Sequence, residues 1–231
     1  MRANTPHPHV RFVSVRQPNG RRLLTVLDGD TLDSYTRRVV QVAQDVESNL
    51  SHRVHANRVA SCSSDPLELR LRAWRTERSA FAASLSELAG GRGALVFADV
   101  RRCYPSISPA LVGAELRRIG ASTADALESF LRGLRSVGVR GLPIGPDPSA
   151  VLANLVLSHV DRRLEDLGLD YLRWVDDLVV ASTEPRVALR SVRRALAEIG
   201  LALNESKTKV IVGAPVAALA RSWSPTRSTR G

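Results

Sequence analysis

The stretch Tyr171-Leu-Arg-Trp-Val-Asp-Asp-Leu-Val-Val-Ala181 places two adjacent carboxylates, Asp176 and Asp177, within a run that is mostly apolar and β-branched. Such a run between turn signals is typical of a buried strand, and a buried carboxylate needs a counter-charge. A β-hairpin with the two aspartates at its tip, facing a metal ion, would meet that need. A surface turn is the alternative, because aspartate is also common in turns.

The composition indicates a globular protein with a polyanionic partner. Hydrophobic residues make up 44% of the 231 residues, and no apolar run reaches the roughly 18 residues of a membrane span. Two cysteines are too few for a disulfide framework, which fits a reducing, cytoplasmic location. The net charge of +10, carried mostly by arginine, favours nucleic acid. A GC-rich genome explains arginine in place of lysine, but it does not explain the net charge.

A second carboxylate marks the stretch Ala94-Leu-Val-Phe-Ala-Asp-Val-Arg-Arg-Cys-Tyr-Pro-Ser-Ile107. The pattern predicts a buried strand over Ala94 to Val100, with Asp99 at its exit. Strand-end aspartates occur in functional sites, and they also cap turns. After this strand the sequence predicts two helices, a Gly/Pro loop, a long helix, the Asp-Asp hairpin and a further helix. The two helices are Pro109 to Ile119 and Thr123 to Val137, the loop is residues 140–150, and the long helix is residues 148–167. The hairpin is the Tyr171–Ala181 stretch, and the further helix is Arg186 to Ile199.

Upstream of this region the sequence predicts a basic hairpin and two helices. Val10 to Val15 and Arg21 to Leu27 alternate around a Pro-Asn-Gly turn, which indicates a β-hairpin. Helical spacing follows over Asp30 to Leu50, and a second helix is predicted over Leu67 to Leu88. Residues 51–66 show no strong element, and two short strands are predicted around residues 204–208.

Four separated motifs resemble those of the reverse transcriptase family over roughly residues 10–212. The resemblance is to bacterial retron, abortive-infection and other anti-phage defence types. The motifs are Phe97-Ala-Asp-Val-Arg-Arg-Cys-Tyr-Pro-Ser-Ile107, Gly141-Leu-Pro-Ile-Gly-Pro-Asp-Pro-Ser149 with Asn154 and Asp161, Trp174-Val-Asp-Asp177, and Gly200-Leu-Ala-Leu-Asn-Glu-Ser-Lys-Thr208. The resemblance implies an α+β right-hand polymerase palm, an antiparallel sheet with helices packed on one face, and a small basic fingers region. The implied divisions are a tail and fingers over 1–93, a palm over 94–212 with part of the fingers at about 108–140, and a loose tail over 213–231.

The resemblance also implies the metal and its ligands. Nucleotidyl transfer by this family uses two Mg²⁺ ions, for which Mn²⁺ is a possible substitute, and such ions take hard oxygen ligands. The implied ligands are the carboxylates of Asp99, Asp176 and Asp177 and the backbone carbonyl of Val100. Lys207 resembles the lysine that stabilises or protonates the leaving pyrophosphate.

Five further residues resemble substrate-binding positions. Tyr104 stands at the position that selects deoxynucleotides by excluding a 2′-hydroxyl, although an ordinary buried tyrosine is the alternative. Arg16 and Arg22 of the hairpin are candidates for gripping the triphosphate as bidentate donors, although a solvated edge hairpin carries such charges too. Gly145 lies in the Gly/Pro loop, and Ser149 opens the helix that follows, where it also suits an N-cap.

The chain departs from the family pattern in three places. Trp174 stands where tyrosine is usual, Val175 where alanine or methionine is common, and Ile144 where a polar residue is expected. The chain ends roughly twenty residues after the fourth motif, so we expect either a fragment that lacks its thumb or a minimal form whose thumb comes from a second protein or from self-association.

The sequence therefore predicts an RNA-directed DNA polymerase, a nucleotidyltransferase that acts on an RNA template, a DNA or RNA primer and deoxynucleoside triphosphates, with no membrane segment. Template-independent or protein-primed DNA synthesis is one alternative. Others are a non-catalytic nucleic-acid-binding remnant and a scaffold subunit of a defence complex. The presence of all three aspartates and Lys207 argues against a remnant.

Overall fold

The computed structural model describes residues 8–17, 20–90 and 93–212, and these form two compact units. Unit 1 takes the described residues of 1–50, 57–71 and 102–156, and unit 2 takes those of 51–56, 72–101 and 157–231. The predicted tail at 213–231 lies outside the described residues. The domain boundaries at residues 93 and 212 stay a prediction.

The described elements include both strands and helices. In chain order they are β1 (Val10–Gln17), β2 (Gly20–Leu27), α1 (Gly29–Ser48), β3 (Val54–His55), β4 (Val59–Ser64), β5 (Leu67–Leu71), α2 (Trp74–Ala89), β6 (Ala94–Asp99), α3 (Cys103–Ser106), α4 (Pro109–Arg118), α5 (Ala124–Ser136), α6 (Asp147–Asp166), β7 (Asp170–Trp174), β8 (Asp177–Ser182), α7 (Pro185–Glu198) and β9 (Lys209–Val212).

Unit 2 is built on a five-stranded sheet with the order β3-β7-β8-β6-β9. All neighbours in it are antiparallel except β3, which runs parallel to β7. Strands β6, β7 and β8 carry the β-branched and aromatic residues that favour extended backbone. The mixed α+β architecture predicted from the sequence is confirmed.

Helices cover both faces of this sheet. On one face, Phe81 and Leu85 of α2 pack in a buried cluster with Leu95, Leu172, Trp174 and Val179. On the other face, α6 binds side chains of β7, and an ion pair of 2.9 Å between Arg163 and Glu198 joins α6 to α7. The helices that follow β6 in unit 2 thus lie on one face, as predicted, and α2 from the preceding segment covers the other.

Unit 1 contains the hairpins β1–β2 and β4–β5, the helices α1, α4 and α5, and the first half of α6. Helix α1 begins at Gly29, one residue before the predicted start at Asp30, because the Asp28 carboxylate caps it by accepting a hydrogen bond of 2.9 Å from the Thr31 N–H. Its buried stripe, which includes Tyr35, Val39 and Val46, follows the predicted helical spacing.

Three predictions upstream and downstream of the sheet were wrong. Residues 67–71 form strand β5, paired with β4, and not the start of a helix, since Leu67, Leu69 and Leu71 alternate with Glu68 and Arg70. Residues 51–66, predicted to lack a strong element, contain β3 and β4. Of the two strands predicted around 204–208, only β9 forms, and Leu203 makes an isolated bridge with Val100.

Among the described residues, no helix has both the length and the apolar composition needed to cross a bilayer.

Candidate active site

The two aspartates of the Tyr171–Ala181 stretch lie at the tip of the β7–β8 hairpin, as predicted. Trp174 and Asp177 are the last paired residues, so Val175 and Asp176 form a two-residue turn. The φ angle of Val175 is 56°. A positive φ at the first central residue alone is characteristic of type II′ turns, which favour glycine there. A β-branched residue in this conformation is strained, and such strain clusters at functional sites.

Asp99 lies directly opposite Asp177 on the neighbouring strand. Directly opposed residues share a face of the sheet, with Cβ atoms about 4.5–5.5 Å apart, and like charges in that position are destabilising. Asp176 is held beside them, because its carbonyl accepts a hydrogen bond of 3.3 Å from the Val100 N–H. The sheet therefore brings together three carboxylates that the sequence separates widely.

Lys207 is the cation that faces this carboxylate cluster. Its Nζ lies 3.0 Å from Oδ2 of Asp99. The turn that carries it is tied to β6, because the Asn204 N–H donates to the Asp99 carbonyl at 2.7 Å and the Lys207 N–H donates to the Asn204 carbonyl at 3.0 Å. The fourth sequence motif thus places its lysine beside the aspartates.

The electrostatics of the cluster are dominated by negative charge. Burial raises the pKa of Asp177 to about 7, with the charges of Asp176 and Asp99 contributing, and Lys207 offsets only part of the effect. The hydrogen bond to Asp99, with the nearby carboxylates, raises the pKa of Lys207, so this lysine stays protonated. The ionised form of Asp177 is therefore disfavoured at this position.

These donors suit a divalent cation. Carboxylate oxygens are the ligands that Mg²⁺ and Mn²⁺ prefer. In the antiparallel bridge between Val100 and Leu203, the hydrogen bonds on the β6 side are made by the Asp99 carbonyl and the Arg101 N–H. The Val100 carbonyl is not an acceptor in this bridge. In extended backbone that carbonyl points to the same side as the Val100 N–H, toward Asp176. Within residues 8–17, 20–90 and 93–212, no three His, Cys, Asp or Glu side chains form a preassembled metal cage.

The comparison with protein families shows which family the chain belongs to. The family described as "Reverse transcriptase (RNA-dependent DNA polymerase)" matches residues 37–227, which include all three aspartates and Lys207. The chain belongs to the reverse transcriptase family. The activity in the family's description, RNA-dependent DNA polymerisation, is that of the nucleotidyltransferase class predicted from the sequence. No curated protein sequence matches the chain.

Solved structures support the fold of this reverse transcriptase domain. Telomerase from Candida albicans, in complex with a fragment of telomeric RNA, matches with a TM-score of 0.56 and 13% identity, over 88% of this chain and 41% of that one. Apo telomerase from Candida tropicalis matches with a TM-score of 0.56 and 11% identity, over 92% of this chain and 46% of that one. The chain spans less than half the length of these two proteins. At such identities the likeness concerns the fold alone.

The predicted substrate residues of the reverse transcriptase domain all belong to unit 1, whereas the aspartates and Lys207 belong to unit 2. In the β1–β2 hairpin, Arg16 lies opposite Arg21, and Arg22 lies opposite Val15. Because side chains alternate along a strand, Arg16 shares a face with Arg21, and Arg22 projects from the other face. The hairpin thus contains a basic pair, Arg16 and Arg21, that sequence reasoning did not single out.

Tyr104 is half-buried at the start of the short helix α3. Its carbonyl accepts a hydrogen bond of 2.9 Å from the Leu142 N–H, which brings the first and second sequence motifs together. Gly141 makes this approach possible, since its φ is +66° and a Cβ there would lie 2.6 Å from the Pro105 carbonyl carbon.

The loop that contains Gly145 is tied to the hairpin. The Thr25 N–H donates to the Ile144 carbonyl at 2.8 Å, and the Ile144 N–H donates to the Thr25 hydroxyl at 3.3 Å. Gly145 is exposed with a φ of +130°. Ser149 is not the predicted N-cap, because α6 begins at Asp147, and its buried hydroxyl instead lies 3.1 Å from the Tyr35 hydroxyl.

Sequence reasoning also missed the roles of Arg173 and Asp161. Both are buried, and together they form an ion pair between β7 and α6. A charged residue three positions before the Asp-Asp pair, inside an apolar strand, was the available signal, since a buried charge requires a partner.

Proposed function

We propose that this chain is an RNA-directed DNA polymerase that adds deoxynucleotides to a primer 3′-hydroxyl, with divalent cations held by Asp99, Asp176 and Asp177 and by the Val100 carbonyl. The observation that carries the proposal is the direct opposition of Asp99 and Asp177, beside Asp176, with Lys207 facing them. Opposed carboxylates cost stability in a sheet, and a bound cation offsets that cost.

The chemistry that the cations supply is activation of the 3′-hydroxyl and neutralisation of the departing pyrophosphate. We propose Mg²⁺, with Mn²⁺ as a substitute, because both accept a carboxylate and carbonyl donor set. The aspartates would bind and orient the cations. Lys207, kept protonated by Asp99, stabilises the leaving pyrophosphate by its positive charge or by donating a proton to it.

The residues of unit 1 are proposed to bind the substrates. Arg16 and Arg22 grip the triphosphate, and Arg21 is the arginine that shares a face with Arg16. Tyr104 excludes a 2′-hydroxyl beneath the incoming sugar. Gly145 and Ser149 support the new base pair, with Ser149 held in place by Tyr35.

The proposed partners are an RNA template, a DNA or RNA primer and deoxynucleoside triphosphates. The net charge of +10 supports a polyanionic partner. On sequence resemblance, we propose a cytoplasmic enzyme of a bacterial retron or anti-phage defence system. Co-purification of a structured RNA or a second protein from the native host would test that setting.

The test is incorporation of labelled deoxynucleotides by purified protein with Mg²⁺, on RNA template-primer, on DNA template-primer and without template. The matched control is the double variant Asp176→Asn/Asp177→Asn, which keeps side-chain size and removes the charge. RNA-dependent product that is lost in the variant supports the proposal. If wild type and variant are equally inactive while both bind RNA, the chain is a non-catalytic binding protein.

Template-independent synthesis is a second candidate that one observation favours. Ile144 offers no polar side chain, and its backbone N–H and carbonyl both bond to Thr25. A polar residue is expected at this position of the motif, so template reading there is reduced. Equal product with and without template would establish this candidate in place of the first.

A further inference from the structure

A buried ion pair between β7 and α6 has no part in the function proposed above. Arg173 is fully buried, and the side chain of Asp161 is 2% exposed. The Arg173 Nε lies 2.9 Å from Oδ1 of Asp161, and Nη2 lies 2.6 Å from Oδ2, so the contact is bidentate. Both residues belong to unit 2, as do the three aspartates.

Stability alone does not account for this pair. Taking two charges out of water is costly, and apolar residues of similar volume in such positions are often neutral or stabilising. A planar guanidinium, however, has further donors after it has bound a carboxylate. In this chain the remaining terminal nitrogen, Nη1, donates to the Val175 carbonyl at 2.8 Å.

The Val175 carbonyl belongs to the central peptide of the Asp-Asp turn. In a two-residue turn, rotation of the central peptide converts one turn type into another while the flanking strands stay paired. Val175 is already in a disfavoured left-handed conformation, with a φ of 56°, so the turn needs an external constraint to keep this form. The hydrogen bond from Arg173 fixes the orientation of that peptide.

The peptide on the other side of Asp176 is fixed as well. The Asp176 carbonyl accepts from the Val100 N–H at 3.3 Å. With one peptide held by Arg173 and the next by β6, the direction in which the Asp176 side chain leaves the backbone is set. Sub-ångström placement of this kind decides whether a carboxylate can share a metal ion with its neighbours.

We propose that Arg173 is a positioning residue that holds the central peptide of the Val175-Asp176 turn in its metal-binding orientation, and that Asp161 holds Arg173 for this purpose. The inference rests on the proposed function, in which Asp176 is a metal ligand. It adds a requirement outside the carboxylate cluster: a guanidinium at position 173, since only its fork reaches Asp161 and Val175 together.

Three variants test the proposal, and Arg163→Lys is the control. Arg173→Lys keeps the charge but cannot make both contacts. Arg173→Met/Asp161→Leu removes both charges without leaving either one buried alone. Asp161→Asn keeps a hydrogen-bonding group for Arg173 and loosens it. Arg163→Lys changes an arginine on α6 whose ion pair, with Glu198, lies at the α7 contact.

Two measurements distinguish a role of Arg173 in positioning the metal site from a role in folding alone. Mn²⁺ affinity, measured by electron paramagnetic resonance without nucleotide, reports the metal site directly. Steady-state kinetics of deoxynucleotide addition report kcat and KM separately. For Arg173→Lys and the apolar double variant, we expect kcat and Mn²⁺ affinity each to fall about 10- to 100-fold, as for other residues that orient metal ligands. KM for the nucleotide and the far-ultraviolet circular dichroism should stay near wild type, with a smaller loss for Asp161→Asn and none for Arg163→Lys.

Other outcomes would contradict the inference, the proposed function or both. Folded variants with wild-type kcat and Mn²⁺ affinity would overturn the inference, as would loss of folding in all three, which would make the pair purely structural. If the wild type binds Mn²⁺ but does not polymerise, the proposed function fails, and the Mn²⁺ affinities of the variants still decide the inference. A wild type that binds no Mn²⁺ would overturn both.

Discussion

Asp177, a proposed metal ligand, occupies a position that is unfavourable for stability. It lies opposite Asp99, is largely desolvated, and adjoins Asp176, so its charge is repelled from two sides. Sites of this kind commonly trade stability for activity. The cost of keeping the carboxylates together should therefore be measurable in the metal-free protein.

We expect Asp177→Asn to stabilise the metal-free protein by about 1 kcal/mol, because it removes like-charge repulsion across the strands. The same change should abolish nucleotide addition. Thermal unfolding with and without Mg²⁺ measures the effect, and Mg²⁺ should raise the melting temperature of the wild type more than that of the variant. Glu87→Gln, an exposed substitution on α2 with the same change in charge, is the control and should change stability by less than about 0.5 kcal/mol. A less stable Asp177→Asn variant would show that the carboxylate has a structural role instead.

At the scale of elements, helices and strands were predicted correctly where the apolar periodicity agrees with boundary residues such as caps, glycine and proline. Helix α1 has a capping aspartate and a regular apolar stripe, and the β7–β8 hairpin was predicted with its aspartates at the tip. Prediction failed at Leu67–Leu71, where leucines that alternate in a strand run into helix α2 without a glycine or proline at the boundary. Local pattern alone could not place that boundary.

The site was predictable as a set of residues but not as a set of contacts. The resemblance of four motifs to the reverse transcriptase family identified Asp99, Asp176, Asp177 and Lys207 as candidates. Strand register decides which side chains share a face, and a shift by one residue reverses every side chain. The pairing of Arg16 with Arg21 and the bond from Arg173 to Val175 depend on that register and on tertiary packing, so the sequence alone could not reveal them.

The face shared by Arg16 and Arg21 leads to a prediction about the hairpin. If these two arginines act on one triphosphate, Arg16→Gln and Arg21→Gln should raise the nucleotide KM non-additively, with a coupling of at least about 0.5 kcal/mol. Arg16→Gln and Arg22→Gln should add, since those side chains project from opposite faces. Steady-state KM values for the single and double variants give both couplings. A larger coupling for Arg16 with Arg22 would contradict this assignment.

Gly141 supports a prediction about the contact between the first two motifs. We expect Gly141→Ala to destabilise the protein by at least about 2 kcal/mol, because its φ is +66° and a methyl group would collide with the Tyr104–Pro105 backbone. Gly133→Ala is the matched control, since Gly133 lies within α5 and a methyl group there would meet no atom within 4 Å. The control should be more stable by about 0.5–1 kcal/mol. Urea unfolding of both variants measures the difference, and equal stabilities would show that the loop can shift to accommodate the methyl group.

At the scale of the whole molecule, the charge of +10 predicts how nucleic acid binds. Binding to single-stranded RNA should weaken linearly in log–log form as salt rises, with a slope of about −0.7 for each phosphate neutralised. Fluorescence anisotropy between about 50 and 200 mM salt tests this. The Asp176→Asn/Asp177→Asn variant should bind at least as tightly as wild type, because it removes negative charge. Affinity that does not change with salt would indicate contacts other than phosphate.

The order of strands in the unit 2 sheet also affects synthesis on the ribosome. Strand β6 is apolar and has a neighbour on each edge, yet its partners β8 and β9 begin at Asp177 and Lys209, long after β6 ends at Asp99. At roughly 5–20 residues per second, the nascent β6 waits about 4–16 s for β8 to be translated. During that interval both of its edges can pair with other chains. Production of soluble protein should therefore depend on translation speed and on chaperones that shield this strand.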